Sequence, residues 1–315
     1  VAENRKGAGV THDAGAIERL RRRATYASVS VALALIIAKL GAYLITESVS
    51  ILSSLIDSST DLLASLVTLL AVRHALKPPD LMHRYGHGKA EALAALAQAA
   101  FISGSALFLS IEAVRRLIYP EPISQGGVGI AVMVLSIVLT FGLITFQRHV
   151  VARTGSIAIG ADRLHYAGDL LMNSAVIAAL LLTMLTGVAA IDPLAGLAIA
   201  AFLLHGARGV ARQALAVLMD RELEGAERDR IAAMVLAHDG ALGLHDLRTR
   251  STGTGIFIEF HLEVDPLISV VQAHDIADAI ERTLVGAFPS CEVLIHQEPA
   301  GLQDERLDNR IGALR

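Results

Sequence analysis

The chain has 315 residues, of which 53% are hydrophobic and 18% charged, against roughly 25% charged in an average globular domain, and this excludes an ordinary soluble protein of that length. A formal net charge of −4 offers no basis for nucleic-acid binding. The single cysteine, Cys291, excludes an internal disulfide and a thiolate metal cluster.

Residues 1–16 are polar and rich in small side chains, and read as a disordered N-terminal tail. Arg19, Arg21, Arg22 and Arg23 precede a first apolar run, Ala24 to Ile45, long enough to span a bilayer. More spans follow it, so it reads as a span and not as a cleavable signal peptide. Thr46-Glu47-Ser48 leads into a second run, Ile51 to Val72, which Pro78-Pro79 stops. A loop, DLMHRYGHGKAE from Asp80, leads to a third span, Ala92 to Ile118; Pro120 and Pro122 mark the turn before a fourth, Val128 to Val150. The fifth runs from Ile157 to Leu185, and Asp192-Pro193 opens the sixth, which ends near Val217. In the sixth, Gly196, Ala200, Gly206 and Gly209 suit close helix packing in lipid. Six spans put both termini on one side, and the excess of Arg and Lys in the N-terminal segment and in the second and fourth loops places that side in the cytoplasm.

Past Asp220 the periodicity changes. Residues 222–238 and 270–288 are helix-like, whereas 242–250, 255–265 and 291–297 are strand-like. In the second strand Ile256, Ile258, Phe260, Leu262 and Val264 alternate with Glu259, His261 and Glu263, the pattern of a half-buried strand. The expected fold is an all-α transmembrane bundle of six helices over residues 17–219, followed by a small cytoplasmic α+β domain over 220–300, αββαβ and ferredoxin-like, with a loose tail at 301–315.

The chemistry concentrates in the spans. Asp57 and Asp61 lie four residues apart, so both carboxylates project from one face of the second helix. His165 and Asp169 repeat that spacing on the fifth. An ionised side chain at mid-membrane costs about 2.5–3.5 kcal/mol on insertion scales, so such groups need a partner. Three carboxylates and an imidazole supply the four ligands Zn2+ prefers, and the imidazole argues against Mg2+ and Ca2+. The plainer alternative is a buried polar network that locks two helices. Asp162 stands one turn before His165 and carries no assignment.

Asp80, His83 and His87, spaced by three and four, can gather on one tight loop, with Gly86 and Gly88 supplying the bend; a solvated loop is the competing reading. In the last domain His245, His261, His274, His296 and Glu298 occupy structured positions, with His296 and Glu298 on one strand face. Together they suggest a second metal centre. His12, His74, His149, His205 and His238 have no comparable company and read as surface or packing residues.

The chain resembles the cation diffusion facilitator family, in particular its bacterial zinc and iron exporters of the ferrous-iron-efflux type. The blocks that carry the resemblance are S-V-S-I-L-S-S-L-I-D-S-S-T-D from Ser48, G-H-G-K-A-E from Gly86, R-L-H-Y-A-G-D from Arg163, L-M-D-R from Leu218, H-D-L-R-T-R from His245, H-L-E from His261 and H-Q-E-P from His296. The resemblance implies a homodimer in a bacterial inner membrane that exports a divalent metal, Zn2+ first, in exchange for protons. It implies a transport site at Asp57, Asp61, His165 and Asp169, and a loop site at Asp80, His83 and His87. It further implies a two-metal site tying the tail domains together at His245, His261, His274, His296 and Glu298. The family usually has Asp at the last position; Glu is one methylene longer. A charge interlock between membrane and tail regions would correspond to Lys89 and Asp220.

The expected mechanism is alternating access, in which protons and metal compete for the same deprotonated carboxylates and neutral imidazole. Fe2+, Cd2+, Co2+ or Mn2+ suit the same ligands. A membrane metallohydrolase would need a general base beside the site, and no H-E-x-x-H occurs. A metal-sensing receptor would need an output domain, and the tail carries no catalytic motif.

Overall fold

The structure, a computed structural model, describes residues 7–119, 127–186, 190–288, 290–302 and 306–312. Lipid offers no partner to a free backbone N–H or C=O, so apolar runs of this length close their hydrogen bonds internally as helices. They do so here as α1 (Gly7–Thr46), α2 (Val49–Ala75), α3 (Lys89–Ile118), α4 (Gly127–Thr154), α5 (Ile157–Thr186) and α6 (Ile191–Leu218). All six are long and apolar enough to cross a membrane. Helix α1 begins at Gly7, within the stretch expected to be disordered. The turn expected at Pro120 and Pro122 lies outside the described residues. Glu47 takes a left-handed conformation, φ 51°, between α1 and α2, and its N–H closes on the Tyr43 carbonyl to end the first helix.

The chain forms two compact units, Gly15–Leu215 and one that includes Ala216–Arg315. In the first unit, Ala24 of α1, Val72 of α2, Val150 of α4 and Ile159 of α5 form one apolar cluster, and α3 and α6 meet through Ile102, Ala106, Ile199 and Leu203. Helices α5 and α6 interlock reciprocally: a Cβ on Gly168 would stand 2.8 Å from Leu203 Cδ2, and one on Gly206 would stand 2.7 Å from Leu164 Cδ1. Gly209, expected to serve the same purpose, has nothing within 4 Å of that point.

A buried ion pair ties further elements together. Arg21 Nη1 of α1 donates to Glu91 Oε1 of α3 at 3.2 Å, and Arg21 Nη2 donates to the Thr154 carbonyl at 2.7 Å. Ser156 Oγ donates to the other Glu91 oxygen at 2.8 Å. Every acceptor on that carboxylate therefore has a donor, which is what a charge removed from water requires.

The second unit contains α7 (Gly225–Leu236), β1 (Gly243–Ser251), β2 (Ile256–Val264), α8 (Val270–Ala287), β3 (Cys291–Pro299) and α9 (Leu307–Gly312). The αββαβ order is the one expected. The sheet order is β1-β2-β3, with β1 and β2 antiparallel and β2 and β3 parallel, and α8 provides the crossover a parallel pair requires. Phe260 and Leu262 of β2 pack under Ile231 of α7 and under Ile280 and Leu284 of α8. The start of α8 is closed by a capping box between Ser269 and Gln272.

Within the stretch expected to be a loose tail, residues 307–312 form α9. Between His245 and Arg248 the β1–β2 register shifts, and Asp246 adopts φ 53°. Its two carboxylate oxygens accept the Leu307 and Asp308 N–H groups at 2.9 Å each, and its own N–H donates to Asp308 Oδ2 at 2.9 Å. Asp246 thus caps α9 from another element, supplying acceptors to N–H groups that have none within the helix.

Candidate metal centres

Because α5 turns Leu164 and Gly168 to α6, its next stripe, His165 and Asp169, faces α2. His165 Nε2 lies 2.9 Å from Asp61 Oδ1 and 3.8 Å from Asp169 Oδ2. One ligand atom from each of Asp61, His165 and Asp169 falls within 4.8 Å of the others. They line a cavity of about 710 Å3, and the Phe101 ring stands edge-on to His165 at 5.6 Å. Asp57 lines the same cavity but does not join the cluster. It also lines a second cavity, of about 720 Å3, with Glu112, Arg116 and Asp192. Arg116 bridges Glu112 at 2.9 Å and Asp192 at 3.4 Å.

Asp162 faces a different set of groups. Its Oδ2 accepts from Ser28 Oγ and Gln147 Nε2, both at 2.7 Å, and its Oδ1 accepts from Ser65 Oγ at 3.4 Å. Ser65 Oγ also lies 2.8 Å from Tyr166 Oη. Helices α1, α2, α4 and α5 all contribute, so this carboxylate joins four helices one turn from His165. Lys39 of α1, buried in the first span, also lines the 710 Å3 cavity. The signal for it in the sequence was a lone lysine inside an apolar run.

The α2–α3 loop brings its three expected residues together. Asp80 Oδ1 accepts the backbone N–H groups of Met82 at 2.9 Å and His83 at 2.7 Å, which folds the loop back on its own aspartate. Gly86 permits this with φ 78°. His83 Nδ1 and His87 Nε2 then approach the two Asp80 oxygens at 3.3 Å each, and all three residues form a ligand group. The N–H of His83 is the main reason the Asp80 pKa lies below the ordinary carboxylate value, against an opposing desolvation. His87 is buried, and its Nδ1 has no hydrogen-bond partner. His74, which the sequence left without company, has its ring 4.6 Å from that of His87.

In the second unit, strand register does the gathering. His245 pairs with His261, and His261 with His296, so three imidazoles form a row across the sheet. Their ring centroids are 4.9 and 4.6 Å apart. Two residues along, Gly243, Glu263 and Glu298 form the next row. Glu298 Oε1 contacts His245 Nε2, and its Oε2 lies 3.3 Å from His261 Nδ1. Burial alone would raise the Glu298 pKa, but its contacts with His245 and His261 outweigh it and hold the group below its ordinary value. The lack of a side chain at Gly243 leaves room for Glu263, whose Oε2 would be 2.8 Å from an added Cβ. Glu263 also pairs with Arg306, and sequence reasoning did not single it out.

These donors fit a divalent transition metal: imidazole nitrogens and carboxylates converge, and the buried His245 Nδ1 has no hydrogen-bond partner among the described residues. His274 stands apart within the chain. It is exposed on α8, with Asp278 Oδ1 3.7 Å from its Nε2. Asp220 pairs with Arg250 at 3.5 Å inside its own unit, whereas Lys89 belongs to the other unit.

Residues 25–219 match the cation efflux transmembrane domain, and residues 223–300 match the cytoplasmic domain of cation efflux proteins. The chain is 46% identical to the cation-efflux pump FieF of Klebsiella pneumoniae over 284 residues, covering 90% of this chain and 94% of that protein. FieF of Salmonella arizonae shows the same identity and coverage. Among solved structures, the Zn form of CzrB is 40% identical and covers 27% of this chain and 99% of that one, with a TM-score of 0.26. With matches that together span both units, the chain belongs to the cation efflux, or cation diffusion facilitator, family, and is a multi-pass membrane transporter and not an enzyme.

Proposed function

We propose that this transporter exports a divalent transition metal, Zn2+ in the first instance, in exchange for protons by alternating access. The observation that carries the reading is the convergence of Asp61, His165 and Asp169 on one cavity between α2 and α5. Deprotonated carboxylates and neutral imidazole bind a cation through the atoms that otherwise hold protons, so loading and protonation exclude each other. Asp57, at the border of two cavities, completes the ligand set as the substrate cation is taken up or passed on. Fe2+, Cd2+ and Mn2+ are alternative substrates of the same ligand chemistry.

In this reading residues 17–219 form the transport domain and 220–300 a cytoplasmic metal-binding domain, with both termini in the cytoplasm of a bacterial inner membrane. Asp80, His83 and His87 form a cytoplasmic loop site. His245, His261, His296 and Glu298 hold metal in the tail, and His274 reaches it from a second copy in a homodimer. Metal bound there supplies a cross-link between strands and between subunits. Lys89 and Asp220 act as a charge interlock.

The test is proteoliposome flux with Zn2+, Fe2+, Cd2+ and Mn2+ in competition under an imposed pH gradient. Zn2+ flux that ignores the gradient would overturn the antiport, and a stronger response to another cation would reassign the substrate.

A further inference from the structure

A lysine inside a transmembrane helix is costly to place in lipid, and such residues are rare away from a polar cavity or partner. Lys39 stands eight residues before Glu47, and Ser54 and Ser58 stand six and ten after Ser48, so the α1–α2 hairpin places them at the same depth. The structure bears this out. Lys39 Nζ donates to the Ser58 hydroxyl at 2.6 Å and to the Ser54 carbonyl at 3.0 Å. Lys39 is 7% exposed and Ser58 1%.

Both acceptors are neutral. They satisfy two of the three N–H groups of the ammonium and none of its charge. Among the described residues no carboxylate stands within ion-pairing distance of Nζ, yet the charges that act on it are those of Asp61, Asp169 and Asp57. Lys39 lines the same cavity as these three and His165. The ammonium is thus moored beside the carboxylates and held off them by a serine adjacent in sequence to Asp57.

We infer that Lys39 is a built-in counter-cation of the transport cavity, tethered by Ser58. The inference rests on reading Asp61, His165 and Asp169 as the transport site. In the empty cavity its charge balances carboxylates that lack a metal. Once a dication enters, the same charge repels it, and because the tether prevents the ammonium from withdrawing or from collapsing onto Asp61, that repulsion persists. Lys39 is therefore a positioning residue for the cation: it weakens holding and speeds release. A lysine that only pegs α1 to α2 would have no such effect on affinity.

The experiment is Zn2+ titration of the purified full-length protein in lipid nanodiscs, scored on the binding component that Asp61→Ala removes, with Zn2+ flux measured in parallel. Lys39→Gln keeps a donor for Ser58 and loses the charge. It is expected to tighten that component about tenfold or more, since unit charges interact strongly at low dielectric, while lowering both KM and kcat. Lys39→Arg, with the charge kept, stays near wild type. Ser58→Ala frees the ammonium to pair with the carboxylates and weakens Zn2+ binding, the opposite sign. Unchanged or weaker Zn2+ binding in Lys39→Gln overturns the inference. Should that variant not fold, wild-type affinity in Ser58→Ala overturns it instead. If Asp61→Ala removes no binding component and transports normally, the transport-site reading itself fails.

Discussion

His165 Nε2 and Asp61 Oδ1 stand 2.9 Å apart although 104 positions separate them in the chain. The contact joins α2 to α5 across the cavity that also holds Asp169. Its donor and acceptor are both metal-competent, so a cation entering there replaces one polar contact with several. Asp61→Ala and His165→Ala should each lower Zn2+ affinity at this site by about 100-fold or more, given that even outer partners of metal ligands are worth about 10–100-fold. Proteoliposome flux at sub-saturating Zn2+ is the check.

Asp162 is expected to govern stability more than binding. Asp162→Ala takes an acceptor from Ser28, Gln147 and Ser65; the two hydroxyls can turn to the Ala24 carbonyl and to Tyr166 Oη, but one Gln147 N–H loses its acceptor, and a buried donor left unsatisfied costs about 1–3 kcal/mol. Asp162→Asn, which keeps one acceptor, should lose less. Thermal unfolding of the purified protein would rank the two variants.

The Arg21–Glu91 pair predicts a non-additive result. Removing either partner alone leaves a buried charge and should cost about 3–5 kcal/mol, whereas the double variant Arg21→Met/Glu91→Leu should recover most of that loss. A double-mutant cycle on unfolding would measure the coupling.

Asp246 should make the docking of α9 acid-sensitive. Burial alone would raise its pKa, but the N–H groups of Leu307 and Asp308 outweigh this and hold it below the ordinary value. A depressed folded pKa means that the contribution is complete above the unfolded carboxylate value near about 3.9 and is lost as pH falls through the folded value. Hydrogen exchange at residues 307–312, corrected for intrinsic rates, should therefore stay protected at neutral pH and open below about pH 4. Asp246→Ala should open it at neutral pH, at a cost of about 0.5–2 kcal/mol as for a lost helix cap.

In the tail, Glu298→Ala should lower Zn2+ binding and weaken any Zn2+-dependent dimer, because its carboxylate reaches both His245 and His261. His274→Ala should weaken the dimer while leaving Zn2+ binding by a single chain largely intact. Sedimentation across a Zn2+ series separates the two effects; equal loss of both in His274→Ala would place it in the single-chain site.

Much of this was written in one dimension. The six spans follow from unbroken apolar length, because lipid enforces internal hydrogen bonding. The tail's order follows from the change of period at Asp220 and the alternation in β2. The candidate ligand residues were visible because carboxylate and imidazole at i,i+4 inside a span cost too much to be incidental. What the sequence could not decide was which of them meet. Asp57 and Asp61 are equivalent by spacing, one turn apart on the same face of α2, yet of the two it is Asp61 that joins His165, because packing sets the level at which α5 lies against α2. Asp162 and His165 stand seven and four residues before Asp169 on one helix, and only four-helix packing assigns the first to Ser28 and Gln147. His245, His261 and His296 become one row only through strand register, which pairs residues far apart along the chain. Lys39 stands alone in an apolar run, and only the α1–α2 hairpin sets it beside Ser58 and the cavity. Periodicity encodes which face a residue occupies; the neighbour on that face is chosen by packing, which is cooperative across helices and strands and leaves no local trace.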